Sequence, residues 1–241
     1  TKLYRTGAGF SCLRIFTNLV LKLRIMKRAI VTGASGNLGR AVAAQLLVSG
    51  YQVSGTGFLA ESSSAYTGAK PDLTDETATA EWVQSVIQQG TVHTAVLTVG
   101  GFAMGDIAST PSGNIQEQIN LNFMTAYHVA RPVFLHMKEQ GSGTIFLIGS
   151  QAGMASDKNI GVTAYGLSKS LLFRLADLIN LEAAGTDVKV FVVVPFIIDT
   201  PQNRVAMPDA DRSGWQTPEQ IAVNIYTYAK EPFGKETLMV F

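Results

Sequence analysis

From residue 28 onward, short apolar runs alternate with longer segments in which apolar residues recur three or four positions apart. The short runs predict β-strands at 28–32, 51–56, 92–99, 143–148, 188–194 and 236–240. The longer segments predict α-helices at 38–49, 75–89, 112–138, 162–184 and 218–229. The segment 58–71 is the least patterned part of this region, and we expect one further strand within it.

Several of these strands are apolar on both faces, as in the run Val-Phe-Val-Val-Val at 190–194. A strand buried on both faces belongs to a parallel sheet covered by helices on each side, with right-handed crossovers between its strands. The pattern therefore predicts an α/β fold, a doubly wound Rossmann-type domain with a mainly parallel sheet of about seven strands. No linker or repeat divides 26–241, so we expect this range to form one domain.

The amino-terminal part of the chain has an unusual charge distribution. Residues 1–60 contain eight basic side chains and no acidic one, and five of the eight lie within residues 1–25. We expect residues 1–25 to be a basic extension outside the fold. It is interpreted as upstream sequence before a start at Met26, as an organelle-targeting peptide, or as a membrane-surface or partner helix. The expected location is accordingly cytoplasmic, or organellar if the extension is a targeting peptide.

Composition excludes several classes of protein. The 241 residues are 46% hydrophobic and 15% charged, which is too apolar for a disordered chain, and they contain no uninterrupted apolar run long enough to span a bilayer. The formal net charge is +1, so we expect a small-molecule substrate rather than a nucleic-acid or membrane partner. With one cysteine, Cys12, and with His93, His128 and His136 not clustered with carboxylates, no metal site is expected.

A glycine-rich loop joins the first strand to the first helix. It reads Thr-Gly-Ala-Ser-Gly-Asn-Leu-Gly at 32–39 and lacks the Lys-Ser/Thr pair of a nucleoside-triphosphate loop. Glycines here allow a tight turn, approach of a phosphate to backbone N–H groups and close helix packing, which favours a bound dinucleotide. The candidate cofactor contacts in the loop are Gly33, Ser35, Gly36, Leu38 and Gly39.

The end of the second strand bears on the choice of dinucleotide. It reads Ser-Gly-Thr-Gly-Phe at 54–58, without the acidic residue that would bind the ribose hydroxyls of NAD. A 2′-phosphate would meet no carboxylate there, and Arg40 and Lys70 are candidate partners for it. NADP(H) is therefore the favoured cofactor, while NAD(H) stays open.

A tyrosine and a lysine four residues apart lie on one face of a helix, about one turn from each other. The chain contains three such pairs: Tyr66 with Lys70, Tyr165 with Lys169, and Tyr226 with Lys230. Only the middle pair follows a buried strand that ends in a hydroxyl, Ser150, so the strand and the helix can converge at the carboxyl edge of the sheet. We therefore select Tyr165 and Lys169.

The chemistry of carbonyl reduction accounts for these residue types. Hydride addition to a carbonyl leaves an oxyanion that needs a proton, and a phenol with a pKa of about 10 is a reluctant acid. An ammonium from Lys169 beside Tyr165, together with the positive nicotinamide ring of the oxidised complex, is expected to favour the phenolate. Ser150 would then hydrogen-bond the substrate oxygen and orient it.

With these motifs in order, the chain closely resembles the short-chain dehydrogenase/reductase family across residues 27–241. The resemblance implies that Ser150, Tyr165 and Lys169 are catalytic. It also implies that Asn122 anchors a proton-relay water, with Asn120 as the competing candidate, and that helices 112–138 and 162–184 pair in a homodimer or homotetramer.

The same resemblance implies further cofactor contacts. Asp72 and Leu73 match the pair that contacts adenine, and Gly100 and Gly101 match the loop that covers the cofactor. Tyr165 and Lys169 also contact the cofactor in this family. The nicotinamide carboxamide is bound by a segment that Pro195 and Thr200 resemble.

Some positions depart from the commonest family pattern. Asn37 and Phe196 replace glycines, and Thr-Val-Gly-Gly at 98–101 replaces Asn-Asn-Ala-Gly. These departures, with the segments 100–105 and 199–211, are similar to the dihydropteridine reductase branch, which commonly lacks the serine present here as Ser150. The expected function is NAD(P)H-dependent reduction of a small carbonyl or similar unsaturated substrate. The alternatives are quinonoid dihydropteridine reduction and a non-catalytic NAD(P)-binding sensor.

Overall fold

The computed structural model describes residues 26–57, 64–154, 160–231 and 237–240. The predicted extension at 1–25, with Cys12, lies outside these residues. The strands, in chain order, are β1 (Arg28–Thr32), β2 (Gln52–Thr56), β3 (Tyr66–Ala69), β4 (Val92–Leu97), β5 (Ser142–Ile148), β6 (Asp187–Val194) and β7 (Leu238–Val240). The α-helices are α1 (Asn37–Val48), α2 (Glu76–Ile87), α3 (Ser112–Ile119), α4 (Thr125–Gln140), α5 (Thr163–Glu182), α6 (Pro201–Ala206) and α7 (Pro218–Lys230).

The seven strands form one parallel sheet in the order β3-β2-β1-β4-β5-β6-β7. This confirms the predicted doubly wound Rossmann-like α/β domain. The strand order reverses between β1 and β4, and the carboxyl ends of these two strands therefore flank the crevice in which open α/β sheets bind their ligands.

Two apolar layers hold the helices on the sheet. On one face, α2, α4 and α5 pack through residues such as Val83, Val129 and Leu172; on the other, α1 and α7 pack through residues such as Val42 and Ile221. Each large side chain buried in these layers contributes about 1.5–3 kcal/mol to the stability of the fold. The strands are apolar on both faces because both faces are covered.

The predicted helix at 112–138 is interrupted. The structure contains α3, then a π-helical turn (Asn120–Met124), then α4, which runs through Pro132. A π-turn has more residues per turn than an α-helix, so it rotates the following side chains without ending the helical path. Apolar periodicity does not register such a change, which is why the sequence predicted one continuous helix.

Other boundaries also differ from the predicted ones. β4 ends at Leu97 rather than at 99 because the Thr98 N–H donates to the Thr32 side chain, at Oγ1 3.0 Å away, instead of to a backbone carbonyl of β1. The poorly patterned segment 58–71 does hold a strand, β3, although residues 58–63 lie outside the described part of the chain. The predicted last strand is confirmed over Leu238–Val240, and its residue 236 is not among those described.

Helix α6 and a short 3₁₀ turn, Gln151–Gly153, were not predicted. Helix α6 begins with Pro201, and Thr200 caps it by accepting the N–H of Asn203 at 3.1 Å. A hydroxyl cap followed by proline is a recognisable helix start, but six residues are too few for apolar periodicity to appear. Both elements follow strand ends and therefore lie at the carboxyl edge of the sheet.

Two histidines complete the backbone hydrogen bonding where β1 and β4 change register. His93 Nδ1 accepts the N–H of Arg28, and His136 Nε2 accepts the N–H of Val92, each at 3.2 Å. An imidazole can accept a hydrogen bond only when it is neutral. Partial burial accordingly lowers the pKa of both imidazoles.

We expect this pair to make the fold sensitive to acid. Because the pKa of each imidazole is lower in the folded chain than in the unfolded one, stability is full above pH about 6.5 and falls as pH decreases below it. Glutamine can accept the Val92 N–H without titrating, so His136→Gln should lose less stability than the wild type between pH 7 and 5. The two proteins should differ in this loss of unfolding free energy by about 0.5–1.5 kcal/mol, the usual contribution of one hydrogen bond. Urea unfolding at several pH values measures it, and parallel pH dependence of stability in the two proteins would contradict the expectation.

Candidate active site

The glycine loop after β1 is fixed to the neighbouring strand. The N–H of Gly33 donates to Thr56 Oγ1 at 2.7 Å, and the N–H of Ala34 donates to the Thr56 carbonyl at 2.9 Å. Gly33 has a positive φ of 65°, and a Cβ on Gly39 would overlap the Gly33 carbonyl. Side chains are therefore excluded from both positions, and the loop stays close to the first turn of α1.

The amino end of α1 suits a phosphate group. Its N-cap, Gly36, provides no side-chain hydrogen bond, and the first turn contains no acidic residue. Leu38 is buried, and Ser35 lies at the surface against Gly57 at the end of β2. Uncapped N–H groups and the positive end of the helix dipole together bind anions, so the residues present fit the pyrophosphate of a dinucleotide.

Asp72 and Leu73 form a tight turn ahead of α2. The Asp72 carboxylate accepts hydrogen bonds from the N–H and hydroxyl of Thr74, at 2.9 and 2.6 Å, and these bonds lower its pKa. The buried Leu73 presents its carbonyl to His128 Nδ1 at 2.9 Å. The turn is fixed from both sides, beyond the carboxyl end of β3.

Ser150 and Tyr165 are brought together at the end of β5. Ser150 lies two residues beyond the strand and caps the 3₁₀ turn by accepting the N–H of Ala152 at 3.2 Å. Tyr165 lies in the first turn of α5, and its hydroxyl is hydrogen-bonded to the Ser150 side chain. The juxtaposition predicted from the strand end and the helix start is present.

Two glycines that the sequence analysis did not select make this approach possible. A Cβ on Gly153 would lie 2.7 Å from the carbonyl carbon of Lys169, and a Cβ on Gly166 would lie 2.8 Å from the Ala152 oxygen. The 3₁₀ turn therefore rests directly on the backbone of α5. Glycine at position 166, inside a predicted helix, was the available sequence signal, because glycine there usually marks close packing.

Lys169 is buried at the centre of the site. Only 5% of its surface is exposed, and its Nζ donates to the Ile148 carbonyl at 2.8 Å. Burial lowers the Lys169 pKa to about 8. The ammonium lies 5.8 Å from the centroid of the Tyr165 ring.

The Tyr165 side chain is largely buried, which affects its phenol. Burial raises the pKa of Tyr165, and its hydrogen bond with Ser150 opposes this only in part. The Lys169 ammonium, which the sequence analysis placed beside the phenol, donates to the Ile148 carbonyl.

Asn122 joins the glycine pair after β4, Gly100 and Gly101, to the site. This side chain is 1% exposed, and its amide binds both the N–H and the carbonyl of Gly101, at 2.9 and 3.0 Å. A Cβ on Gly100 would lie 2.6 Å from Asn122 Oδ1 and 3.3 Å from Lys169 Nζ. Asn120, the competing candidate, is exposed and accepts a hydrogen bond from Gln116 instead.

Pro195 and Thr200 lie beyond the end of β6. Both are buried, and Thr200 caps α6. Helix α6 reaches the glycine loop, since Asn37 Nδ2 donates to Gln202 Oε1 at 2.8 Å. The predicted nicotinamide segment and the predicted phosphate loop therefore flank the same crevice.

The described residues include no group of three or more His, Cys, Asp or Glu side chains placed to hold a metal ion. No helix among them is long and apolar enough to cross a membrane. The three histidines instead bind backbone groups, as described above.

Fold and site together define a class of protein. A doubly wound parallel sheet with a glycine loop at its switch point and a Ser-Tyr-Lys cluster beside it is the arrangement of a dinucleotide-dependent oxidoreductase. Residues 27–211 match the family model described as short chain dehydrogenase. The chain therefore belongs to the short-chain dehydrogenase/reductase family, which confirms the predicted family and the prediction that it is an NAD(P)-dependent enzyme.

Curated relatives agree with this assignment. The chain is 28% identical to cyclohexanol dehydrogenase of a Rhodococcus species over 203 residues, which cover 72% of this chain and 75% of the relative. It is 27% identical to acetoacetyl-CoA reductase of an Acinetobacter species over 201 residues, which cover 78% of this chain and 80% of the relative.

Solved structures share the fold. Ligand-free aldohexose dehydrogenase of Thermoplasma acidophilum superposes with a TM-score of 0.77 at 23% identity, covering 89% of this chain and 92% of that one. ElxO with NADP bound superposes with a TM-score of 0.79 at 22% identity, covering 89% of this chain and 96% of that one.

The contact between the 3₁₀ turn and α5 can be tested with alanine. We expect Gly153→Ala to lower the free energy of unfolding by about 1–3 kcal/mol, because the added methyl group must push the turn away from α5. Gly113→Ala is the matched control, since a Cβ there meets nothing within 4 Å and α3 gains about 0.5–1 kcal/mol. Urea unfolding measures both, and equal stability of the two variants would contradict the packing argument.

The buried charge of Lys169 should lower the free energy of unfolding at neutral pH. Lys169 is protonated at pH 7 in both folded and unfolded chains, but its folded pKa of about 8 lies below its ordinary 10.5, so the buried charge is unfavourable. Lys169→Met should therefore raise the free energy of unfolding by about 1–3 kcal/mol below pH 8. The gain should shrink between pH 8 and 10.5, because the folded lysine loses its charge there while the unfolded lysine keeps it. A gain that does not depend on pH would contradict this account.

Proposed function

We propose that the protein is an NAD(P)H-dependent reductase of a small carbonyl compound, with Tyr165 as the proton donor. The observation that carries the proposal is the hydrogen bond between the Tyr165 and Ser150 hydroxyls, with the buried Lys169 ammonium beside them. A bound reduced nicotinamide would supply the hydride.

The residues of the chain supply the rest of the chemistry. Ser150 Oγ hydrogen-bonds the substrate oxygen and sets its distance from the phenol. The Tyr165 O–H donates its proton to the oxyanion as the oxyanion forms, and the raised pKa keeps this proton in place until then. The resulting phenolate is stabilised by the Lys169 ammonium, whose position is fixed by the Ile148 carbonyl.

The surroundings of Tyr165 favour an uncharged substrate. The described segments 98–105, 148–154 and 160–168 contain no charged residue. Phe102 packs edge-on to the Tyr165 ring, with centroids 5.0 Å apart, while remaining 64% exposed. An exposed aromatic ring beside the phenol offers apolar contact to a substrate. The related cyclohexanol dehydrogenase is named for an uncharged ring alcohol, whereas the acetoacetyl-CoA reductase is named for a large charged thioester.

A quinonoid dihydropterin is the second substrate candidate. Phe102 lies within the segment 100–105 that resembles the dihydropteridine reductase branch, and its ring is placed to contact a flat heterocycle. The hydroxyl of Ser150, which that branch commonly lacks, favours an ordinary carbonyl.

We propose NADP(H) as the preferred cofactor. No acidic residue occurs at 52–57, so a 2′-phosphate at the end of β2 meets no carboxylate there. Lys70 directly follows β3, which pairs with β2, and is the better-placed basic partner. Arg40 instead lines a groove between α1 and α7 beside Glu219. The structural neighbour ElxO binds NADP, in line with this choice.

We further propose that the enzyme is a homodimer or homotetramer. Helices α4 and α5, which pair across subunits in similar proteins, have exposed leucines at positions 135, 167, 178 and 181. Apolar groups of this size at a surface favour burial against a second copy.

Replacement of Tyr165 tests the reductase function. We expect Tyr165→Phe to lower substrate-dependent oxidation of NADPH by about 10²–10⁴-fold, because the proton donor is lost, and to leave NADPH affinity nearly unchanged. The matched control is Tyr226→Phe, which alters another Tyr-x-x-x-Lys pair on α7 and should retain full activity. A panel of ketones, aldehydes and quinonoid dihydropterins should be assayed with both NADPH and NADH.

Full activity of Tyr165→Phe would remove this residue from the mechanism. Dinucleotide binding without turnover of any member of the panel would instead indicate a sensor. Equal or better rates with NADH would overturn the cofactor preference.

A further inference from the structure

A continuous line of hydrogen bonds joins the glycine pair after β4 to the backbone of Tyr165. The Gly101 N–H donates to Asn122 Oδ1 at 2.9 Å, and Asn122 Nδ2 donates to Ser168 Oγ at 3.1 Å. The Ser168 hydroxyl then donates to the Tyr165 carbonyl at 2.8 Å. Every step runs from donor to acceptor in the same direction, an arrangement in which hydrogen bonds strengthen one another.

Gln118 fixes the direction of this line. It lies one helical turn before Asn122, is 8% exposed, and its Oε1 accepts from Asn122 Nδ2 at 2.9 Å. The two protons of this amide are shared among three acceptors: Gln118 Oε1, Ser168 Oγ and the Gly101 carbonyl. If the Asn122 amide were flipped, its oxygen would face the oxygens of Gln118 and Gly101, and its NH₂ group would face the Gly101 N–H. Gln118 and the Gly101 backbone together therefore disfavour the flipped orientation.

The network is buried, so its loss is costly. Ser168 is fully buried and Asn122 nearly so. A buried amide that loses an acceptor cannot replace it with solvent, so it must reorient or shift.

Both ends of the network carry site residues. Gly101 precedes Phe102, whose ring contacts Tyr165, and Ser168 holds the first turn of α5. The separation between the loop after β4 and the phenol is thus set by Asn122 and the two residues that hold it.

We propose that Gln118 and Ser168 are positioning residues for the reaction: they lock the Asn122 amide in one orientation and thereby fix Gly101 relative to Tyr165. This inference rests on the reductase function proposed above. Neither residue touches the reacting atoms, so their contribution is to turnover geometry rather than to dinucleotide affinity.

The test compares two substitutions of nearly equal size. Gln118→Met removes the acceptor, and Gln118→Glu keeps an oxygen acceptor in the same place. We expect Gln118→Met to lower kcat for carbonyl reduction about 10- to 100-fold, with the Kd for NADPH within about twofold of the wild type. Gln118→Glu should retain most of the wild-type kcat. A difference in kcat between these two variants of nearly equal size would not be explained by loss of packing alone.

Ser168→Ala should lower kcat in the same way, since it breaks the line while alanine remains favourable in the helix. The matched control is Gln116→Met. Gln116 is on the same helix but exposed, and it bonds only to Asn120 among the hydrogen bonds described here. It should keep wild-type kcat.

Hydrogen exchange at the Gly101 amide provides a readout that does not need turnover. We expect faster exchange in Gln118→Met and in Ser168→Ala, and wild-type exchange in Gln118→Glu and Gln116→Met. Wild-type turnover with unchanged exchange in Gln118→Met, or a kcat loss that Gln118→Glu does not restore, would overturn the positioning role alone. Faster exchange in a protein whose wild type reduces no carbonyl would overturn the reductase proposal, and the catalytic part of this inference with it.

Discussion

The close approach of α5 to the carboxyl end of β5 is the constraint on which the site depends. It is maintained by the hydrogen bond from Lys169 Nζ to the Ile148 carbonyl and by backbone contact at Gly153 and Gly166. Because strand and helix meet there without intervening side chains, Ser150 reaches Tyr165. Parallel strands all present their carboxyl ends at this edge, so the glycine loop after β1 lies on the same side of the sheet.

Such a site is built at some expense of stability. A buried ammonium bonded to a single carbonyl and a phenol whose pKa is raised by burial are both arrangements that a core selected only for stability would avoid. The two apolar layers on the faces of the sheet offset this cost. The buried charge of Lys169 is tolerated because these apolar layers hold the sheet and helices around it.

Asn122 shows how a helical irregularity serves the site. The π-turn lies between two ordinary helices and turns the Asn122 amide inward. There the amide accepts the N–H of Gly101 and donates to its carbonyl. Asn120, only two residues earlier, remains at the surface. Apolar periodicity describes the average face of a helix, so it could not reveal the π-turn or the partners of the amide.

The sequence by itself determined the fold class, the order of the strands and longer helices, the glycine loop and the choice of Ser150, Tyr165 and Lys169 as one candidate cluster. These follow from local apolar periodicity and from motifs confined to a few neighbouring residues. Only the tertiary structure decided the direction of the Lys169 ammonium, the burial that raises the pKa of Tyr165 and the roles of Gly153, Gln118 and Ser168. Each of these depends on burial or on contact between segments distant in the chain, and neither is encoded in local spacing.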